Sequence, residues 1–447
     1  MVRFLCTVVF ALIVLSTVSS VAKEQNKSVV GPSPEERVAR QEIGVVDSGP
    51  RPDTPLAISL SDYDFPQHPG LLQRILSSPH GYFRFINRPF ALAVCRHFES
   101  EMIILGNVNL HGDAHLENYS VTDRQRGLAD FDDASAGPFV LDLVRFGVSI
   151  HLASRALGIS EQADAVVASF IEGYQEGLRN RHLTMPEPAL VAHIRAGFPK
   201  GRQKLLTNAE ALMQPIDKSG REFERAYQQY EEQMKEANPY LPSGFFDIKK
   251  LGSLKLGIGS AFNEKYLMRV EGHTREPDDD LIVEAKEIGD LEGVGCVQHP
   301  RQGGIMQIAA SQARLSFEPP RYAGYVILHP YLGFPGRRAK FWVYAWDDNY
   351  FELSIPGSIR TPQDLFDISR DVGIQLGRGH LKSIIDPYET AARQGYLSLV
   401  SYYQDDITTA IRELTRQTIA AWEWVREEAA NQGSTQPSTP ENKSIKE

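Results

Sequence analysis

The sequence predicts an α+β fold built from a mainly helical part and a β-rich part. Two observations carry that reading. Phe139 to Leu157 keeps apolar residues on most faces of a helix, which predicts a buried one. From Phe245 the texture changes to short runs rich in β-branched and aromatic residues, which predict strands, before helical periodicity returns at Leu365.

Taken in order, Arg3, the apolar run Phe4 to Val18 and Ser20-Val21-Ala22 form a secretory signal pattern, 1–22, with cleavage after Ala22. That run is shorter than the ~20 residues a membrane span needs, so export with no stable membrane span after processing is expected, to the periplasm or beyond the cell. Residues 23–60 are rich in Pro, Gly, Ser and charge and predict a disordered leader. A helical lobe is expected over 61–244, with helical pieces at Leu71 to Leu76 and Tyr82 to Arg96, short strands at Met102 to Leu105 and Val108 to Leu110, and mostly helix from Glu161 to Tyr240. The β-rich part, 245–360, holds strand candidates at Leu254 to Ser260, Lys265 to Glu271, Leu281 to Glu287, Tyr325 to Leu328, Phe341 to Trp346 and Tyr350 to Ile355. Helices at Leu365 to Leu381 and Ala391 to Ala429, within 361–430, complete the helical lobe, and 431–447 predicts a disordered tail.

The 447 residues are 42% hydrophobic, enough for one large core or two ordinary ones. A formal net charge of −10, from 47 basic and 57 acidic residues, argues against a nucleic-acid surface as the main role. After cleavage two cysteines remain, Cys95 and Cys296. An exported pair can form a disulfide, and two buried thiols fit their flanks equally well.

The densest chemical signal is His111-Gly112-Asp113-Ala114-His115-Leu116-Glu117-Asn118 with Asp130-Phe131-Asp132-Asp133 twelve residues after Asn118. Asp113 is the candidate catalytic base, because a carboxylate can align an attacking hydroxyl. Asn118 and Asp130, with Asp132 adding charge, are the candidate ligands of a hard cation, Mg²⁺ or Mn²⁺, which prefers oxygen donors. Twelve residues fit a short hairpin that returns the chain to the same ion. His115 either orients Asp113 or faces solvent, and His111 is expected to bond backbone near the metal ligand. Asp132 and Asp133 either add metal-binding charge or, beside Gly137-Pro138, only cap the next helix. Asp142, an acid opening an apolar helix, is expected to hold the His111 loop by hydrogen bonds.

A second element is Gly257-Ile258-Gly259-Ser260, where Gly257, Gly259 and Ser260 can bring backbone N–H groups and a hydroxyl to phosphate. Lys286 follows on a strand, placed to neutralise nucleotide phosphates.

These landmarks, with Tyr82-Phe83-Arg84-Phe85, Gly137-Pro138, Asp142-Leu143 and Lys286-Glu287, resemble the domain of unknown function 2252 family over roughly Leu56 to Asp406. Separately, Asp113, Asn118 and Asp130 are similar to the catalytic loop and metal aspartate of aminoglycoside and choline kinase-like enzymes. That second resemblance implies a protein-kinase-like two-lobed fold. Because Gly257 and Lys286 follow the catalytic loop here, it implies a circularly permuted one, with Tyr325 to Tyr331 as the hinge and Gly379-His380-Leu381 leading toward the His111 loop. Between Gly293 and Phe317 there is no glutamate to pair with Lys286; Gln307 or Gln312 could occupy the place, and neither carries charge.

The implied activity is transfer of a phosphoryl group from ATP or another nucleotide to a small-molecule hydroxyl, or less readily a protein hydroxyl. One alternative is a metal-dependent phosphohydrolase using His111, Asp113, His115, Asp130 and Asp132 around two cations. The other is an inactive nucleotide-binding pseudokinase of the cell envelope.

Overall fold

A computed structural model describes residues 51–255, 258, 263–288, 294–297, 304–334, 336 and 338–434. The expected signal segment, 23–50 of the leader, 435–447 of the tail, and Gly257, Gly259 and Ser260 lie outside the described residues.

The first elements are α1 (Pro69–Leu76), α2 (Pro79–Phe85), α3 (Asn87–His97) and α4 (Met102–Leu105). The expected helix Tyr82 to Arg96 is broken at Ile86, where α2 ends. Met102–Leu105 is a single helical turn rather than a strand: Ile103 and Ile104 face solvent, and only Leu105 is buried. The leader also departs from expectation at its end. Leu56, Ala57, Ile58 and Leu60 are buried, and Tyr82 Oη donates to the Leu56 carbonyl at 2.5 Å. Four apolar residues within five positions outweigh the flanking prolines and charge.

Next come β1 (Val108–Leu110), β2 (Tyr119–Thr122), β3 (Arg126–Leu128) and β4 (Ser135–Gly137), then α5 (Val140–Ala156) and α6 (Ala163–Arg179). Strands β2 and β3 form the short antiparallel hairpin expected between Asn118 and Asp130, while β1 pairs with β4. Helices α7 (Ala189–Ala196), α8 (Gln203–Leu212), α9 (Lys218–Ala226) and α10 (Gln228–Ala237) follow.

The sequence then forms β5 (Ile248–Ser253), β6 (Lys265–Val270), β7 (Leu281–Glu287), α11 (Gly304–Leu315), β8 (Arg321–Leu328), β9 (Ala339–Ala345) and β10 (Tyr350–Glu352). Five of these strands make one antiparallel sheet in the order β5-β6-β7-β9-β8. Period-two alternation sorts its faces. Tyr266, Met268, Val283, Ala285, Phe341 and Val343 pack with Phe223 of α9, Tyr230 of α10 and Tyr227 between those helices. Thus α8 to α10, expected with the helical lobe, cover the sheet instead, α8 supplying Leu206 and Ala209 to the other face beside Leu267 and Ile282. The expected hinge is likewise displaced. Residues 321–328 are an edge strand, and the chain leaves the sheet after β9 to pair β10 with β2 of the hairpin.

The last helices are α12 (Pro362–Gly379), α13 (Glu389–Tyr402) and α14 (Gln404–Ser434), so the expected single helix Ala391 to Ala429 is two, and helix extends four residues into the expected tail. A capping box between Thr361 and Asp364, with Pro362 in the first turn, starts α12. Helices α6 and α12 approach closely along glycines. A Cβ on Gly377 would lie 2.1 Å from the Tyr174 carbonyl oxygen, and one on Gly173 would lie 2.5 Å from that of Arg370. This seam places the buried Asp371 and Gln375 of α12 under the hairpin. Asp371 accepts from Tyr119 Oη at 2.7 Å and Arg126 Nε at 2.9 Å. Gln375 Oε1 accepts from Leu128 N at 2.7 Å, and its Nε2 donates to the Leu128 carbonyl at 3.2 Å.

The fold is therefore mixed α and β with several antiparallel sheets. Arg51–Arg426 makes one compact unit, so the helical and β-rich parts are not separate bodies. Among the described residues no helix is long and apolar enough to cross a membrane.

Candidate active site

The loop after β1 is held by a carboxylate from the helix behind it. Asp142 Oδ2 accepts from His111 N at 2.7 Å, and Oδ1 accepts from Gly112 N at 3.0 Å. His380, just past α12, approaches the same carboxylate through Nε2 at 3.1 Å, and Tyr174 Oη meets its Nδ1 at 2.9 Å. Asp142 is thus the loop anchor that its position in the sequence implied. Burial opposes its ionisation, yet the hydrogen bonds from His380 and the loop hold its pKa below the usual carboxylate value. Gly112 has a positive φ of 84°, and a Cβ there would meet the Asp133 carbonyl oxygen at 1.9 Å, so only glycine fits. His111 bonds backbone with both ring nitrogens: Nδ1 accepts from Asp113 N at 3.3 Å, and Nε2 donates to the Ala129 carbonyl at 2.8 Å. Its ring packs on Phe131, with centroids 4.6 Å apart.

Asp113 does not stand free. Arg145 of α5 donates Nε to its Oδ1 at 2.6 Å, with Nη2 at 2.5 Å, and the guanidinium lies over the Phe83 ring at 4.3 Å. His115 Nε2 is 3.6 Å from Oδ2. His115 is buried, so of its two expected placements the one beside Asp113 holds. Burial alone would raise the Asp113 pKa. Arg145, and behind it His115, outweigh that and hold the group well below the usual carboxylate range. The result is a fixed anionic acceptor rather than a strong base. Asn118 donates Nδ2 to the Asp113 carbonyl at 2.9 Å, so Oδ1 is the side-chain atom that could face a cation.

The hairpin brings the acidic cluster to the same place. Ala129 N donates to the Asn118 carbonyl at 2.8 Å, so Asp130 follows directly on the residue paired with Asn118. Asp130 adopts a positive φ of 62°, uncommon for a residue with a Cβ. Lys286 Nζ, from β7, donates to its Oδ1 at 2.9 Å and stands 3.5 Å from Asp132 Oδ2. Burial opposes a charged Asp130, but Lys286, with Lys265 adding to it, drives its pKa well down. Asp132 goes the other way: burial and the neighbouring Asp130 charge raise it well above the normal value. Burial and then Asp113 likewise push Asp133 up to about 7, against a hydrogen bond from Asn87 Nδ2 at 2.8 Å.

Asp130, Asp132, Lys265 and Lys286 line a cavity of about 290 Å³ between the sheet and the hairpin. Lys286, Lys265, Glu284, Trp342 and Tyr344 form the sheet wall, with Asp130, Asp132 and Ser120 opposite and Gln312 of α11 at the side. Glu284 Oε2 accepts from Tyr344 Oη at 2.9 Å and Trp346 Nε1 at 2.7 Å. Gln307 instead donates to the Ser135 carbonyl at 3.0 Å.

The structure therefore joins Asp113, His115 and Asn118 in one loop and Asp130, Asp132 and Lys286 in one ion cluster, linked by the backbone bond from Ala129 to Asn118, with the glycine turn outside the described residues. Sequence reasoning missed Arg145, Lys265 and Glu284. A lone arginine inside the apolar run of α5 was the available signal for the first. The other two depend on strand register, which the sequence does not display. Among the described residues, no group of three or more His, Cys, Asp or Glu side chains is arranged to hold a metal ion. Asn118 Oδ1, Asp130 and Asp132 are oxygen donors of the type a hard cation prefers.

Cys95, on α3, and Cys296 form a disulfide that ties the connection between β7 and α11 to the helical part.

Residues 68–196 match the model of a family described as an uncharacterized protein conserved in bacteria (DUF2252). The match contains the loop from His111 to Asp142 and stops short of Lys286, so it supports the family resemblance over a shorter stretch than Leu56 to Asp406. No curated protein and no solved structure matches the chain.

Proposed function

We propose that this protein is a kinase-like phosphotransferase that moves a phosphoryl group from ATP or another nucleotide to a small-molecule hydroxyl with Mg²⁺ or Mn²⁺. The observation that carries this reading is the meeting of Lys286 with Asp130 at 2.9 Å in a cavity that Asp132 also lines, with Asn118 tied through its backbone to Ala129, the residue before Asp130. Kinases place a lysine on the third strand, follow it with a helix, and set it against an Asp and Asn that hold Mg²⁺. Here Lys286 lies on the third strand of the sheet, β7, and α11 follows it before β8 and β9. The catalytic-loop half precedes the sheet in the chain, which supports the permuted, two-lobed kinase-like arrangement.

The residues fit a divalent ion. Among the described residues, Asp132 Oδ2 is buried with no hydrogen-bond partner, and Lys286 Nζ stands 3.5 Å away. Asn118 Oδ1, Asp130 and Asp132 would hold the cation, which neutralises phosphate charge when bound. Lys286 would hold the phosphates, exchanging its carboxylate partners for them. Asp113, ionised and clamped by Arg145, would orient the acceptor hydroxyl, while Trp342, Tyr344 and Leu254 offer apolar surface to a base. The disulfide supports a site of action outside the cytoplasm, since such bonds persist in oxidising compartments.

Asp130→Ala and Asp113→Ala should each abolish nucleotide-dependent phosphorylation while keeping the circular dichroism spectrum. Wild-type rates from the Asp130 variant rule the assignment out. The inactive-binder reading is favoured by one observation, the engagement of Asp113 by Arg145, and nucleotide binding without transfer to any acceptor would select it. The two-cation hydrolase reading loses a ligand, because both His111 ring nitrogens are used by backbone.

A further inference from the structure

We infer that Lys265 is a second phosphate-holding residue of the cavity, and that the cavity selects ligands carrying two linked phosphoryl groups. This rests on the nucleotide reading above and names the part of the ligand that the sheet wall recognises.

Strands β6 and β7 pair so that Lys265 stands directly opposite Lys286. The next pair, Tyr266 and Ala285, points into the core under α9 and α10. Alternation therefore turns both lysines to the other face, and both line the cavity. Neither is a surface lysine: Lys265 is 6% exposed, and the Lys286 side chain 11%. Like charges directly opposite on neighbouring strands are destabilising, and burying each ammonium adds a desolvation cost.

Asp130, Asp132 and Glu284 act electrostatically on both ammoniums. Asp130 and Asp132 are both within 3.5 Å of Lys286, and Glu284 Oε2 takes its hydrogen bonds from Tyr344 and Trp346. A pair of lysines at directly paired strand positions, both facing one cavity, matches an anion with two linked charged centres. A monophosphate can meet one of them, whereas a diphosphate group spans both. Charge-assisted contacts of this kind are strong in a water-poor cavity. The chemical class is therefore a nucleoside di- or triphosphate, or inorganic pyrophosphate, with AMP as the poor ligand.

The test is titration calorimetry of the full chain with Mg²⁺ and three probes, ADP, inorganic pyrophosphate and AMP, on the wild type and on Lys265→Met and Lys265→Arg. The wild type should bind ADP at least about tenfold more tightly than AMP, the size of one or more charge-assisted hydrogen bonds. Lys265→Met should lose that preference and its pyrophosphate binding while keeping AMP affinity, and Lys265→Arg should restore both. A Met variant that still prefers ADP as the wild type does overturns the inference and leaves the nucleotide reading standing. A wild type that binds none of the three overturns both. If the Met variant does not fold, Lys265→Gln is read by the same criteria.

Discussion

Lys286 Nζ lies 2.9 Å from Asp130 Oδ1, although 156 residues separate them in the chain. The lysine belongs to the five-stranded sheet and the aspartate to the loop after the β2–β3 hairpin, so this contact joins the two halves of the cavity. Lys286→Met should leave Asp130 and Asp132 facing each other without their main cation. Nucleotide affinity should fall at least about tenfold, from the loss of a charge-assisted contact, as read by calorimetry. Unchanged affinity would detach Lys286 from the ligand.

Asp142 holds His111 N, Gly112 N and His380 together, with Asp142, His111 and His380 buried and Gly112 half-buried. Asp142→Ala should cost about 3–5 kcal/mol, the usual range for breaking a buried charged network. Urea unfolding measures it, and a loss under 1 kcal/mol, about the size of a single neutral hydrogen bond, would show the loop to be held by other contacts.

The glycine seam between α6 and α12 makes a similar demand. Gly377→Ala puts a Cβ 2.1 Å from the Tyr174 carbonyl oxygen, so the helices must separate. The expected loss is about 1–3 kcal/mol, as for overpacking elsewhere. Because α12 supports the hairpin through Gln375, transfer activity should fall with stability. A variant with a wild-type melting point would contradict this packing.

His80 supplies a pH dependence. Burial, against the pull of Glu117, lowers its pKa from 6.5 to about 4. The unfolded chain therefore binds a proton between those values that the folded chain does not. Stability contributed by neutral His80 is complete above about pH 6.5 and is lost progressively down to about pH 4, by roughly 2–4 kcal/mol. His115, also lowered, acts in the same direction. In denaturant midpoints from pH 4 to 7, His80→Phe should flatten this slope, and an unaltered slope would assign it to other groups.

The disulfide closes a loop of 201 residues between Cys95 and Cys296. Reduction, or Cys95→Ser with Cys296→Ser, should cost about 2–5 kcal/mol. An identical melting curve with and without reductant would show that the bond adds nothing to stability.

How far the sequence alone reaches follows from what kind of physics positions each group. The His111-to-Asp130 region was legible because its spacing is local: a turn, one helical turn of 3₁₀ and a hairpin bring Asp113, Asn118 and Asp130 together. Asp142 was legible because an acid at the start of an apolar helix needs hydrogen bonds. Met102–Leu105 was misread as a strand because four apolar residues carry no period, and the Gly106 turn with no pairing partner leaves it one helical turn. The placement of α8 to α10 on the sheet escaped notice because amphipathic helices do not declare which surface they cover. Lys265 and Glu284 reach the cavity only through the register of β6, β7 and β9, a long-range property.

The central claim is that Asn118 and Asp130 share one divalent ion beside a phosphate held by Lys286. Anomalous scattering from crystals grown with Mn²⁺ and ADP tests it most directly. The account predicts one manganese peak bonded to Asn118 Oδ1 and an Asp130 carboxylate oxygen, with Lys286 Nζ moved onto a phosphate. Manganese bound elsewhere, or nucleotide density with Lys286 still on Asp130 and no metal beside it, would contradict the account.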